Sequence, residues 1–328
     1  MGHPRRMFLN NRAYFITNRV AKGLPFVACL YINLLLLGIL ARAKFLHPSI
    51  TICAWLFLGS HYHGIIVTNG DADSIRKFMN YLDGELAKSV KRWMGIQYNV
   101  KIWAQRYHAA LLLTPQDVIN ELVYIFTNPV AANLVAKAQD WFGFTTFDPA
   151  FQNKHFQAKW VRPGKIEALP NKDLSRSFVK SLVRSISELK AHTLTLTVEP
   201  LAWMRCFAEE HHLSEARVIE ELLEGIENAE QKAALLRAQE GQRVASREKI
   251  EFQNPHKKFL SKNHGIRVFC ISRCPKLRQE YIALYKDFCE KCSQVWKRWK
   301  EGFLSDSYPP GAFPPPRSLL ANILPAPI

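Results

Sequence analysis

The spacing of apolar positions changes period several times along the chain, and each change predicts an element. Residues 12–20, RAYFITNRV, are rich in aromatic and β-branched side chains and run into a turn containing Gly23, the pattern of a strand. The next stretch, LPFVACLYINLLLLGIL at 24–40, carries no charge for 17 positions and predicts a helix reaching about Lys44. SITICAWLFL (49–58) and YHGIIVT (62–68) read as two further strands, joined into a hairpin by the turn at Gly59 and Ser60. From 71 to about 93, Ile75, Phe78, Leu82, Leu86 and Val90 recur at helical spacing with basic residues on the other side, so this is an amphipathic helix with a cationic face. KIWAQRYHAALLL (101–113) reads as a loop entering a fourth strand. Thr114, Pro115 and Asp117 then supply an N-cap, a first-turn proline and a capping-box-like partner. A helix is expected from Pro115 until Pro129 breaks or kinks it.

Beyond about residue 148 the elements shorten. Gly and Pro at 163–170 read as a linker, 177–189 and 213–242 as helices, HTLTLTV (192–198) as a strand, and 280–300 as another amphipathic helix. The ending, SYPPGAFPPPRSLLANILPAPI, is Pro-rich and extended, either wrapping the protein or lying loose. A chain of 328 residues is long enough for two domains, and the change of texture divides it into 1–148 and a mainly helical 149–328.

Charge narrows the class of partner. Lys and Arg outnumber Asp and Glu by 44 to 28, a formal charge of +16 with a pI near 9.6, which points to a polyanion. Nucleic acid comes first and an anionic membrane surface second. Residues 1–150 hold 15 basic and 8 acidic side chains and the remainder 29 and 20, so both halves can touch the same polymer. Seven cysteines, an odd number, with Cys29, Cys53 and Cys206 in apolar or helical surroundings, favour a reducing cytoplasm over a disulfide framework. The apolar segment 24–40 also admits a signal peptide or a short membrane span. Pro25, Asn33 and Gly38 interrupt it and its length is the lower limit for spanning, so the expectation is a buried core helix and no membrane.

Two constellations carry candidate chemistry. His61 and His63 have strand spacing, so both imidazoles leave one face while Tyr62 leaves the other; this is half a metal site, or else a solvated strand edge. Tyr124 and Asn128, in YIFTNP, are four apart on a predicted helix and share a face; the other reading is a Tyr at the core edge and an Asn capping before Pro129. Two further groups read less specifically. Cys270, Cys274, Cys289 and Cys292 have a spacing tolerable for zinc, yet two of them lie in a helical run and VFCIS reads as a buried strand, which favours core thiols. His211 and His212 are adjacent and diverge on a helix, so they read as a solvated turn.

Taken in order, these stretches resemble the REP-associated tyrosine transposases of the single-tyrosine HUH superfamily. The family's basic arm and strand ending in TNR or TSR are similar to HPRRMFLNNRAYFITNR, and its His-hydrophobic-His motif is similar to SHYH, with Ser60 in place of the usual Asn. Its Trp followed by an Arg-Tyr pair is similar to IWAQRYH at 102–108, and its catalytic-helix signature to YIFTNPVAA at 124–132. The resemblance covers about residues 3–148, and the Pro-rich ending also looks like longer members.

The resemblance implies an α+β protein with a ferredoxin-like HUH catalytic domain, a central antiparallel sheet, and a basic, mostly helical C-terminal region that helps bind DNA. It implies His61, His63 and Asn128 as ligands of Mg²⁺ or Mn²⁺ and Tyr124 as a nucleophile that cuts single-stranded DNA beside REP-like hairpins through a 5′-phosphotyrosine link. A phosphodiester is anionic and resists attack, so a divalent cation suits that chemistry. Arg5, Arg6, Arg19, Arg76, Lys77, Lys88, Lys91 and Arg92 suit a phosphate backbone, and Trp103, Arg106 and Tyr107 suit unpaired bases. The expected setting is a bacterial cytoplasm, associated with the nucleoid, with monomer and homodimer both open. The rival reading of the same motifs is a domesticated protein that holds DNA hairpins without cutting them.

Overall fold

The computed structural model describes residues 5–70, 73–97, 99–190, 193–209, 213–259 and 268–315. Its first six elements are β1 (Ala13–Arg19), α1 (Leu30–Leu46), β2 (Ile50–Leu58), β3 (His61–Thr68), α2 (Asp73–Trp93) and β4 (His108–Leu112). The four strands lie in the order β2-β3-β1-β4, each antiparallel to its neighbour, so α1 and α2 are the crossovers of two interleaved β-α-β units. β2 is buried at all nine positions and β3 at all but its first. Strands covered on both faces need unbroken apolar runs rather than alternation, which is why ITICAWLFL and YHGIIVT read as they do.

The two faces belong to different cores. Tyr14, Ile16, Trp55, Tyr62 and Ile66 meet α1 and α2, while Phe15, Leu56, Leu58, Ile65 and Val67 meet the helix that follows β4, α3 (Pro115–Ala131). Each large side chain buried this way contributes about 1.5–3 kcal/mol. Gly64 belongs to this packing: a Cβ there would sit 2.7 Å from Cζ3 of Trp55, whose ring stacks on Tyr62.

The apolar segment after β1 becomes a core helix that starts at Leu30 and runs past Lys44 to Leu46. No described helix is long and apolar enough to cross a membrane. The capping box at the start of α3 forms: Thr114 Oγ1 accepts from Asp117 N at 3.1 Å and Asp117 Oδ2 accepts from Thr114 N at 3.0 Å. The expected break at Pro129 does not occur. Proline there lies in the final turn, where it forfeits a single backbone bond, and the helix continues to Ala131 before Asn133 takes a left-handed conformation.

The remaining elements are β5 (Lys154–Lys159), α4 (Arg176–Glu188), β6 (Thr193–Val198), α5 (Glu215–Gln239), α6 (Arg247–Glu251), β7 (Cys270–Ile271) and α7 (Pro275–Lys300). β5 and β6 form an antiparallel pair that packs with α4 on α1, and α5 lies along α3. Gly38 lets the backbone of β5 cross α1, because a Cβ there would overlap the Lys159 carbonyl. Both cores therefore take side chains from either side of residue 148. The stretch 163–170, which reads as a linker, packs against α2 instead: Ile166 and Leu169 are buried and Leu169 N donates to Trp93 O at 2.7 Å. The sheet is also not purely antiparallel. β7, which lies in the stretch VFCIS that reads as a buried strand, joins β4 as a parallel fifth strand; its partner lies more than 150 residues away, so no local pattern announces the pairing. In the described part of the Pro-rich ending, Gly311 O accepts from Phe8 N at 3.3 Å and Phe313 packs on Phe8, so this stretch wraps the protein.

Candidate functional site

Cross-strand register builds one half of the site. β1 and β3 pair so that Arg19 lies opposite His61 and Thr17 opposite His63, and partners in such a pair project to the same face. That face is the one covered by α3. Phe15, two residues before Thr17, stacks on the His63 imidazole with centroids 5.5 Å apart and also meets Tyr124 at 6.2 Å.

Helical spacing builds the other half. α3 presents Tyr124 and Asn128 one turn apart. The Tyr124 ring stands edge-on to His63 at 5.3 Å, Asn128 Nδ2 is 3.4 Å from His63 Nε2, and the two imidazole centroids are 4.9 Å apart. The four side chains singled out in the sequence thus meet at one spot, with His63 6 % exposed and Tyr124 47 % exposed.

The electrostatics follow from depth. Desolvation, with the Arg19 guanidinium adding to it, pushes the His61 imidazole down to about 4; desolvation and His61 hold His63 well below its ordinary value. Both rings are neutral at neutral pH, which is the form that donates to a metal. Desolvation raises the Tyr124 phenol, the Asn128 hydrogen bond opposes that rise, and Glu121 adds to it.

Three residues escaped the sequence reading of this site. Glu121 precedes Tyr124 by three on α3, and desolvation with the nearby Asp117 pushes its carboxyl up to about 7. Its i, i+3 spacing from Tyr124 was visible, but its desolvation was not. Phe15 shares the strand face of Thr17, which the alternation of β1 shows. Ser60, noted only as a departure from a family pattern, is buried, and its Oγ lies 3.2 Å from His61 Nδ1. A hydroxyl holding Nδ1 leaves Nε2 as the nitrogen presented to the site.

Behind the histidines a second network fixes β3 from the opposite face. Tyr62 Oη donates to Asp83 Oδ1 at 2.6 Å, Asn18 Nδ2 donates to Oδ2 at 2.8 Å, and Trp103 Nε1 donates to the Asp83 carbonyl at 3.0 Å. Desolvation pushes the Asp83 carboxyl up to about 7 against the lowering effect of its hydrogen bonds.

The residues read as DNA contacts scatter. Arg19 alone among them stands in register with a site histidine. Arg76 and Lys77 both pair with Asp73 at 2.9 Å, and Lys88 with Glu85 at 3.6 Å; these and Lys91 and Arg92 lie on α2, across the sheet from His63. Trp103 is half-buried against Tyr62, and Arg106 is exposed. Tyr107 is 5 % exposed, with the Arg6 guanidinium 3.5 Å from its ring centroid, so Arg6 covers one face of that ring. Arg5 accepts a hydrogen bond from Tyr285 Oη at its carbonyl.

Two neutral imidazoles and an amide oxygen fit a divalent cation such as Mn²⁺ or Mg²⁺, and His63 Nδ1 is buried with no protein partner. Among the described residues no three His, Cys, Asp or Glu side chains form a cluster, so Cys270, Cys274, Cys289 and Cys292 make none there, and Glu121 does not complete one with the histidines. His211 and His212 lie outside the described residues.

No protein-family profile matches the chain, and no curated protein matches it. Among solved structures, one described as a REP-associated tyrosine transposase bound to a REP hairpin is similar to it, with 23 % sequence identity, 45 % of this chain and 83 % of that chain covered, and a TM-score of 0.36. The likeness is loose.

Proposed function

We propose that the protein is a metal-dependent, single-tyrosine DNA endonuclease and strand transferase of the REP-associated type, acting on single-stranded DNA beside hairpins. The observation that carries this reading is the convergence of His61, His63, Asn128 and Tyr124 from a strand and a helix, with Asn128 and His63 65 residues apart in sequence. The strand order β2-β3-β1-β4 with two crossover helices on one face supports a ferredoxin-like catalytic domain.

His61, His63 and Asn128 would hold the cation, which polarises a phosphate oxygen when bound. Tyr124 Oη attacks the phosphorus; the tyrosyl P–O bond forms and the P–O3′ bond breaks, leaving a 5′-phosphotyrosine and a free 3′-OH. A phenol is protonated at neutral pH, its ordinary pKa being about 10, so its proton needs an acceptor. Glu121, on the same helical face with a carboxyl near neutrality, is suited to take that proton and return one to the departing 3′ oxygen. Arg19, opposite His61, offers its guanidinium to the non-bridging oxygens. Because the phosphotyrosine conserves the bond energy of the phosphodiester, a 3′-OH can attack it and rejoin a strand without a nucleotide cofactor.

The test incubates the protein with end-labelled single-stranded DNA carrying a hairpin, in Mn²⁺ or Mg²⁺, and resolves it on a denaturing gel. A covalent adduct is expected with the wild type and none with Tyr124→Phe. An adduct that persists in Tyr124→Phe, or its absence in every metal, overturns the catalytic assignment; hairpin binding without any adduct favours the non-cleaving reading.

A further inference from the structure

A cluster of positive charge that the proposed reaction does not use lies on the other side of the sheet from Tyr124. Arg42 near the end of α1, Arg162 and Lys165 about the 3-10 turn Pro163–Lys165, and Lys190 just after α4 line a cavity of about 430 Å³ together with Trp160 and Leu194. Among the described residues lining it there is no carboxylate. Arg162, Lys165 and Lys190 are exposed. Arg42 is held rigidly: its guanidinium lies 3.8 Å from the centroid of the Trp160 ring and its Nε donates to Tyr81 Oη at 2.9 Å. Trp160 Nε1 is buried without a protein partner. The 3-10 turn packs on α2, so the cavity lies beside the helix that carries Lys88, Lys91 and Arg92. A concave site with four cations and apolar walls raises the local concentration of anions, and a row of such charges fits a polymer of phosphates better than a single one.

We propose that this cavity and the adjoining side of α2 bind the phosphate backbone of DNA at a distance from the scissile bond, Arg42, Arg162, Lys165 and Lys190 facing phosphates of the hairpin stem. The identification of the polymer rests on the reading of the protein as a DNA enzyme. α1 and β5–β6 pack on the face of the sheet opposite His63, so a nucleotide at Tyr124 cannot also occupy the cavity. DNA that reaches both must extend around the protein, which suits a structured flank more than a short single strand.

The test measures binding of fluorescent hairpin DNA by anisotropy across a salt series, using the wild type, Arg162→Gln/Lys165→Gln/Lys190→Gln, and the charge-keeping Arg162→Lys/Lys165→Arg/Lys190→Arg. In parallel, adduct formation is followed on a short single-stranded oligonucleotide without a stem. The glutamine variant is expected to bind the hairpin about ten- to a hundredfold more weakly at physiological salt, with a slope of log K against log salt shallower by about 2–3. The charge-keeping variant should bind like the wild type, and adduct yield on the short oligonucleotide should be unchanged in both. Wild-type affinity and slope in the glutamine variant overturn the proposal. If the wild type binds hairpins through these residues but forms no adduct, the catalytic reading fails and this one stands.

Discussion

Asp83 is the group whose titration the folded protein should report most directly. Its two oxygens accept from Tyr62 and Asn18, yet desolvation pushes its carboxyl up to about 7. An aspartate in an unfolded chain titrates near about 3.9. Between about pH 4 and pH 7 the folded chain therefore holds a proton that the unfolded chain has released, and stability falls as pH rises through that window. At about 1.4 kcal/mol per unit over roughly three units the full effect is about 4 kcal/mol, and solvent reaching the half-buried side chain reduces the expected loss to about 2–3 kcal/mol. Asp83→Asn removes the titration and keeps the network, since the amide oxygen can accept from Asn18 while its nitrogen donates to the Tyr62 hydroxyl. Urea unfolding of both proteins from about pH 4.5 to pH 8 measures the difference, with the other carboxylates cancelling between them. The wild type should lose about 2–3 kcal/mol relative to the variant as pH rises, then run level with it above the folded-state pKa. Two curves that stay parallel across the whole range would refute a raised Asp83 and with it the account of how β3 is held from behind.

Three other perturbations bear on the same frame. Ser60→Ala frees His61 Nδ1 and should weaken Mn²⁺ binding about 10- to 100-fold, read by electron paramagnetic resonance titration; an unchanged affinity would detach Ser60 from the site. Gly64→Ala drives a methyl into the Trp55 ring beneath His63 and should lower unfolding free energy by about 1–3 kcal/mol, visible as a reduced denaturation midpoint. Gly38→Ala pushes against the Lys159 carbonyl, where rigid backbone cannot yield, so hydrogen exchange should speed selectively in β5 and β6; uniform exchange rates across those strands and β1 would count against their separate seating on α1.

What was legible in the sequence is what depends on local backbone period. The strands and helices from β1 to α3, the hairpin turn at Gly59 and the capping box at Thr114 follow from alternation, helical spacing and side-chain caps, all set within a few residues. The same locality put His61 with His63 on one strand face and Tyr124 with Asn128 on one helix face. Pro129 marks the limit of that reasoning: a proline can be carried inside a helix at the loss of its own N–H bond, and here the helix continues through it to Ala131. Tyr107 marks another: an exposed-looking aromatic beside arginines is covered by Arg6 of the N-terminal arm, 101 residues earlier.

The sequence by itself determined which side chains share a face and what chemistry they can carry. Only the tertiary structure decided which faces meet: the register that sets Arg19 against His61, the docking of α3 that brings Tyr124 to His63, the fifth strand contributed by Cys270–Ile271, and the cationic cavity between α1 and the 163–165 turn. The protonation of Glu121 and Asp83 belongs with these, since each is set by desolvation, and desolvation depends on segments distant in sequence that cover the group. Periodicity is a property of a segment, whereas pairing and burial are properties of what other segments place against it.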